Sequence, residues 1–370
     1  MKHFAILFYD EHLAYSPTLL NLINILRENN KVSIIAPPPV GFTKLEDPDV
    51  NYVDMDWRLA RTASIYRLKM FGKRLGLSTS PDTHLEPATY VKVHSLRNAL
   101  KSISFDGCIA VDPTALWIAQ SVGVQPHFLS LELFERPLSK YVNYQSIQSF
   151  CIQSQERMDA GPFANVSCPV FFLPNSTVFK EVPATTRSTN QLLFCGTATQ
   201  GFGIYTCLHF LQDNSKFQMT VQGTLPDDVW TDILKFWPNL IETRQLIINR
   251  KYIEESEMNA FLVHFRIGFC IYDTRVKYIN NINYQTAPSG KLWKYLAAGI
   301  PVIGSDIQGL SIVKERNCGV LISQLTSDAV SAAIESIESD YVGYQNRALE
   351  TAKEYSFDIH AAPYIKHLIQ

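Results

Sequence analysis

Pro288-Ser289-Gly290-Lys291-Leu292-Trp293-Lys294-Tyr295-Leu296-Ala297-Ala298-Gly299-Ile300-Pro301-Val302-Ile303-Gly304-Ser305 reads as a helix that runs directly into a buried strand. Pro288 is excluded from a helix interior, Ser289-Gly290 supplies a cap, and Lys291 to Ala298 are good helix formers that stop at Gly299. Pro301 then opens a short apolar run. Outward from this stretch the same alternation predicts strands at Leu192 to Cys195, Phe217 to Val221, Gln245 to Ile248, Ile267 to Ile271, Val302 to Gly304 and Val320 to Ile322. Helical patterns fall near 203–212, 226–237, 253–264 and 290–299. An earlier series has apolar runs at Phe4 to Tyr9, Val32 to Ala36 and near 107–111, 127–131 and 149–153, with an amphipathic stretch after Ser16-Pro17. Continuous apolar strands alternating with helices predict parallel sheets covered on both faces. The Ser/Thr-rich segment Val182 to Asn190 interrupts the pattern. It predicts an α/β chain of two Rossmann-like, doubly wound domains, 1–185 and 186–351, facing each other across a cleft at their strand carboxyl ends.

Composition bounds the rest. The chain has 370 residues, 46% hydrophobic and 18% charged, which excludes a disordered or fibrous chain. Its net charge of −2 lacks the basic excess of a nucleic-acid binder, so no nucleic-acid partner is expected. Seven cysteines, odd in number and with no C-x-x-C pair, fit neither a disulfide framework nor a zinc site. No long uncharged apolar run is present, so a cytoplasmic protein is expected, neither exported nor membrane-spanning.

The helix start at 288–291 has the form of an anion site. Exposed N–H groups at Ser289 and Gly290, with the Lys291 ammonium beside them, would offer donors and positive charge to a diphosphate. The alternative is a capped helix with solvated lysines. The run Pro-x-x-Lys-x-x-x-Tyr-Leu-Ala-Ala-Gly-x-Pro-Val-Ile, followed by Ser305-Asp306-Ile307-Gln308-Gly309 and by Asn317 to Ile322, resembles the carboxy-terminal nucleotide-sugar signature of GT-B-fold glycosyltransferases, in particular the group 1 family. The match covers roughly 285 to 325. The resemblance implies transfer of a sugar from a nucleotide sugar, a UDP-sugar first, with no metal and no further cofactor. It places the donor in the second domain and a glycan or lipid-linked acceptor of surface polysaccharide assembly in the first, with the terminal helix, 352–370, packed back on the first domain.

Departures from the family are specific. Lys294 stands where a glutamate usually binds the donor ribose, and a lysine cannot accept those hydrogen bonds. Thr286 stands at the other acidic position. Gly196 and Thr197 end the first strand of the second domain, but the Arg and Lys that usually follow are absent. Lys291 and Lys294 are the replacement cations, with Arg250, Lys251, Arg275 and Lys277 in reserve. Tyr272, Tyr278 and Tyr284 precede the donor helix. A divergent branch that includes the xanthan glucuronosyltransferase is similar in its Lys-x-x-Gln-Tyr helix start.

In the first domain Glu132 follows a strand and is the leading candidate to take the acceptor proton; the alternative is an ion pair with Arg136. Asp10, Glu11 and His12, after the first strand, are the second choice. Between Trp57 and Pro81 lie six basic residues, Arg58, Arg61, Arg67, Lys69, Lys73 and Arg74, and no acid. Such a segment suits an anionic membrane surface, hence peripheral attachment, or equally a solvated basic face. Asp54-Met55-Asp56 is a weak metal motif, of the kind that marks a different architecture. Two other classes stay open: a nucleotide-sugar 2-epimerase and a non-catalytic two-domain binding protein.

Overall fold

The computed structural model describes residues 1–41, 44–53, 64, 66–68, 70, 82, 85–133, 139–163, 165–181, 187–251, 253, 255–287 and 289–370. The chain divides into two units. Unit 1 is Met1–Leu173 with His360–Gln370, and unit 2 is Pro174–Ile359.

Unit 1 carries a seven-stranded sheet in the order β3-β2-β1-β4-β5-β6-β7. The strands are β1 (His3–Phe8), β2 (Lys31–Ala36), β3 (Val50–Tyr52), β4 (Gly107–Val111), β5 (His127–Ser130), β6 (Ser149–Ile152) and β7 (Val170–Phe172). Every pairing is parallel. Phe4 to Phe8 are buried on both faces, as an unbroken apolar strand requires. The helix Pro17–Arg27 starts on a proline and buries Leu19, Leu22, Ile23 and Leu26, an i, i+3, i+4, i+7 stripe.

Unit 2 repeats the plan with six parallel strands, β8 (Gln191–Cys195), β9 (Gln218–Gln222), β10 (Leu246–Asn249), β11 (Ile267–Cys270), β12 (Val302–Ser305) and β13 (Gly319–Ile322), in the order β10-β9-β8-β11-β12-β13. One face packs Leu208 and Leu211 against Phe194, Val221 and Phe269; the other packs Leu292, Tyr295 and Leu296 against Leu193, Cys270 and Val302. The expected doubly wound α/β class is what forms. In both sheets the winding reverses once, between β1 and β4 and between β8 and β11, and ligands bind beyond the carboxyl ends of the strands at such a point.

The division falls at Leu173/Pro174, ahead of the expected 185/186. Phe179 packs on the unit 2 core, and buried Arg187 donates to the carbonyls of Val263, Ala298 and Gly299 and to Tyr341 Oη. These bonds tie Arg187 to unit 2, while residues 182–186 of the expected linker lie outside the described residues. At the other end the helix Phe357–Ile369 joins unit 1 from His360, not from 352. Tyr364 and Leu368 are buried there, Tyr364 beside Phe171 and His127, and Lys2 Nζ donates to the Leu368 carbonyl at 3.2 Å. Burial, with the neighbouring His367 and Lys2 charges, drives His127 down to about 4, so it stays neutral in this packing.

Candidate functional site

In unit 2 the helix Gly290–Ala297 begins beyond the carboxyl end of β11. Ser289 has the extended backbone of a cap, yet its side chain makes no capping bond, because the hydroxyl turns to the Cys270 thiol. The first-turn N–H groups therefore have no side-chain cap, which corrects the expected role of Ser289 and leaves donors for an anion. Lys291 is partly exposed, and its ammonium lies 4.9, 5.5 and 5.6 Å from the ring centroids of Phe194, Phe202 and Tyr272. Among the described residues no carboxylate pairs with it. Burial pulls its pKa below the usual lysine value. Cation–π contacts partly compensate this charge, and a diphosphate would do so fully.

Tyr272 is also a wall of a cavity of about 350 Å³ at the ends of β11, β12 and β13, with Asp273, Arg275, Ser305, Asp306 and Thr326 around it. Ser305 Oγ accepts the Tyr272 N–H at 2.8 Å and donates to the Tyr272 carbonyl at 2.9 Å, locking that wall. Arg275 forks onto Asp273 with two bonds of 2.8 Å, which occupies one reserve cation and holds the Asp273 carboxyl below its ordinary value. Gly196 and Thr197 are exposed at the end of β8, next to β11 in the sheet. Gly196 takes φ +99°, and its carbonyl would lie 2.5 Å from any Cβ on Gly223, so two bare backbones meet at this corner. Lys294 lies one turn beyond Lys291 and is partly buried. Arg250 stands apart from this group: it is exposed beyond β10, over the Trp230 ring, with β9 and β8 between its strand and β11. Tyr278 is half exposed, and its Oη accepts the Gly201 N–H and donates to Thr199 Oγ1, both at 3.1 Å.

In unit 1, Asp10 follows β1 and Glu132 follows β5, and β4 lies between those strands. The residue that joins them is Asp112, at the end of β4. Its Oδ1 accepts the N–H groups of Leu131 at 2.7 Å and Glu132 at 2.9 Å. Its Oδ2 is buried with no hydrogen-bond partner among the described residues, and its backbone is left-handed, φ +64°. Burial, then the Glu132 charge and lastly that of Asp10, pushes its carboxyl up to about 7, against the pull of the two N–H donors. Arg157, fully buried in the helix Gln155–Ala160, donates to the Leu131 carbonyl at 2.8 Å. His12 packs its ring on Phe8 at 5.4 Å, and Glu11 pairs with Lys92 at 3.0 Å. Arg136 lies outside the described residues, as do Asp54, Asp56, Lys69, Lys73 and Arg74; Arg67 is described and exposed. Among the described residues no cluster of His, Cys, Asp and Glu has the makings of a metal site, and no helix is long and apolar enough to cross a membrane.

No family model matches the chain, and no curated protein matches it. Solved structures do. Sucrose-phosphate synthase from Thermosynechococcus elongatus superposes with a TM-score of 0.69 at 12% identity over 100% of this chain and 98% of its own. The alpha,alpha-trehalose-phosphate synthase (UDP-forming) from Burkholderia xenovorans, in complex with glucose-6-phosphate, gives 0.64 at 9% identity over 100% of both chains. A trehalose-6-phosphate protein from E. coli, bound with UDP-2-fluoro glucose, gives 0.65 at 10% identity over 100% of this chain and 99% of its own. The chain has the GT-B fold.

Within that GT-B frame, one side of unit 2 gathers Gly196, Thr197, Tyr272, Ser289, Gly290, Lys291 and Lys294 on β8, β11 and the helix between β11 and β12. In unit 1 the charges of Glu132 and Asp10 both act on Asp112. Sequence reading missed Asp112 and Arg157. Asp112-Pro113 after an apolar run looks like any strand-ending turn, and an arginine four residues past a strand looks solvated; only burial and backbone angle distinguish them.

Proposed function

We propose that the protein is a glycosyltransferase that takes a sugar from a nucleotide-sugar donor, a UDP-sugar first, held by unit 2, and passes it to a hydroxyl acceptor held by unit 1. The observation that carries this is the Lys291 ammonium at an uncapped helix start, over three rings and without a carboxylate partner among the described residues. As the bond from sugar C1 to the phosphate oxygen breaks, negative charge grows on the departing diphosphate, where the helix N–H groups and Lys291 stabilise it. The acceptor oxygen bonds to C1 and loses its proton to Glu132, a carboxylate at the correct end of the sheet. The cavity beside Tyr272 takes the nucleoside end of the donor. No metal enters this scheme. UDP is favoured because UDP-2-fluoro glucose is bound in one structural neighbour and another is UDP-forming.

The acceptor class we propose is a glycan or lipid-linked sugar of surface polysaccharide assembly. The run of basic residues through Arg67, Lys69, Lys73 and Arg74 supports docking on an anionic membrane. Neutralising these four should abolish co-sedimentation with anionic liposomes, and unchanged sedimentation discards the membrane part. Donor binding is tested by thermal shift with UDP, GDP, ADP, CMP and TDP sugars, since a ligand of the native state raises the melting temperature. A rise with UDP-sugars is expected; no rise with any of them rejects the transferase. Glucose 6-phosphate and a lipid-linked sugar then compete as acceptors. Glu132→Gln should lose transfer at least a hundredfold while nucleotide affinity stays within about twofold. An inverted product anomer fits Glu132 as base, and a retained one leaves it only the orienting of the acceptor.

A further inference from the structure

Three features around β4 and β5 belong together. Asp112 holds a backbone conformation that non-glycine residues avoid, and such strain persists only where the surroundings impose it. One carboxyl oxygen is spent on two consecutive backbone N–H groups at the point where the chain leaves β5. The Leu131 carbonyl, on the other side of the same peptide segment, is taken by Arg157 Nη2. Leu131 and Glu132 are thus gripped by an acid from β4 and a base from the helix after β6. A segment held at three backbone groups has little freedom in how it projects its side chain.

We infer that Asp112 is the positioning residue for Glu132: through the N–H groups of Leu131 and Glu132 it fixes the direction in which the Glu132 carboxylate leaves the strand. This rests on the reading of Glu132 as the acceptor-side carboxylate. The groups that face Asp112 are Asp10 beyond β1, Glu132 beyond β5, Tyr144 from the loop before β6 and Arg157 from the helix after β6. Burial, and next the Asp112 charge, hold the Tyr144 hydroxyl up at about 12, so it remains a neutral neighbour. Asp112 and Glu132 repel each other when both are ionised. Asp112 therefore sets the direction of Glu132 through the backbone, and an acceptor oxygen, not a charge, is what that hold requires.

Two variants separate these effects. Asp112→Asn keeps an oxygen acceptor and tolerates the left-handed backbone but carries no charge; Asp112→Gly accepts the backbone angle and removes the acceptor. Amide hydrogen exchange at Leu131 and Glu132 needs no substrate. Protection is expected to survive in Asp112→Asn and to fall at least tenfold in Asp112→Gly, and equal protection in wild type and both variants overturns the inference. With UDP-glucose as donor probe, UDP release should lose tenfold or more in kcat in Asp112→Gly with KM unchanged, and Asp112→Asn should recover most of it. Wild-type kcat in Asp112→Gly, or an Asp112→Asn variant as slow as Asp112→Gly, overturns the positioning role. If Glu132→Gln turns over at the wild-type rate, the reading of Glu132 fails by itself, and the exchange data alone decide whether Asp112 holds the segment.

Discussion

Lys291 and Asp112 are ionisable side chains placed where their charge is poorly solvated, and each gives a prediction of its own. Lys291→Met removes the ammonium and keeps the length of the stem. Without ligand it should melt at the same temperature as wild type or higher, since no partly desolvated charge is left to compensate. Its affinity for UDP should fall at least tenfold by calorimetric titration, roughly 1.4 kcal/mol or more. For Asp112 the sign follows from its native pKa of about 7, above that of an unfolded aspartate. Between about pH 4 and 7 the native state binds more protons than the unfolded chain, so stability falls as pH rises through that window and is flat above it. Asp112→Asn cannot ionise, and its unfolding free energy by denaturant melt should match wild type near pH 4 and exceed it at pH 8 by on the order of a few kcal/mol. Lys291 and Glu132 were legible as residues because each occupies a recognisable place in a strand-loop-helix pattern. Asp112 was not, because its neighbours in sequence are ordinary and its partners lie 19 and 20 residues away.

At the scale of elements, the helix Gly290–Ala297 is seated by a glycine. Gly268 in β11 lies under the Tyr295 ring, and a Cβ there would come within 2.5 Å of Tyr295 Cδ2. Tyr295 cannot step aside: it is buried, and its Oη accepts the Cys195 N–H at 2.7 Å. Gly268→Ala should cost about 1–3 kcal/mol by denaturant melt and weaken UDP binding, because the helix start must move with the ring. An alanine variant of wild-type stability would mean that the helix is held elsewhere. The main strands were legible because their apolar runs are buried on both faces, whereas the long helices Pro87–Lys101, Ser327–Ser339 and Tyr341–Glu354 were not singled out. Both edge strands of the unit 1 sheet, β3 and β7, escaped notice: each has three residues, none of them buried, so periodicity had nothing to register. The short helices Ile282–Thr286 and Ser311–Glu315 were missed for the same reason, at five residues apiece.

For the whole molecule, the two-unit plan was legible and its borders were not. Polar composition points to a linker at 182–190, but one buried arginine, Arg187, outweighs that composition by closing four bonds inside unit 2. Unit 1 takes its last helix from the far end of the chain. Removing His360–Gln370 should therefore lower the melting temperature of unit 1, by stripping Tyr364 and Leu368 from its core, while UDP binding by unit 2 survives. Loss of UDP binding together with unit 1 would show that the two units do not stand separately.

Because unit 2 interrupts unit 1 in the chain, the order of synthesis and the order of completion are opposed. On a ribosome the long amino-terminal part of unit 1 emerges first but lacks the Tyr364 and Leu368 side chains that close its core, whereas unit 2 is whole once Ile359 is out. The unit whose synthesis begins first is thus the last to be completed.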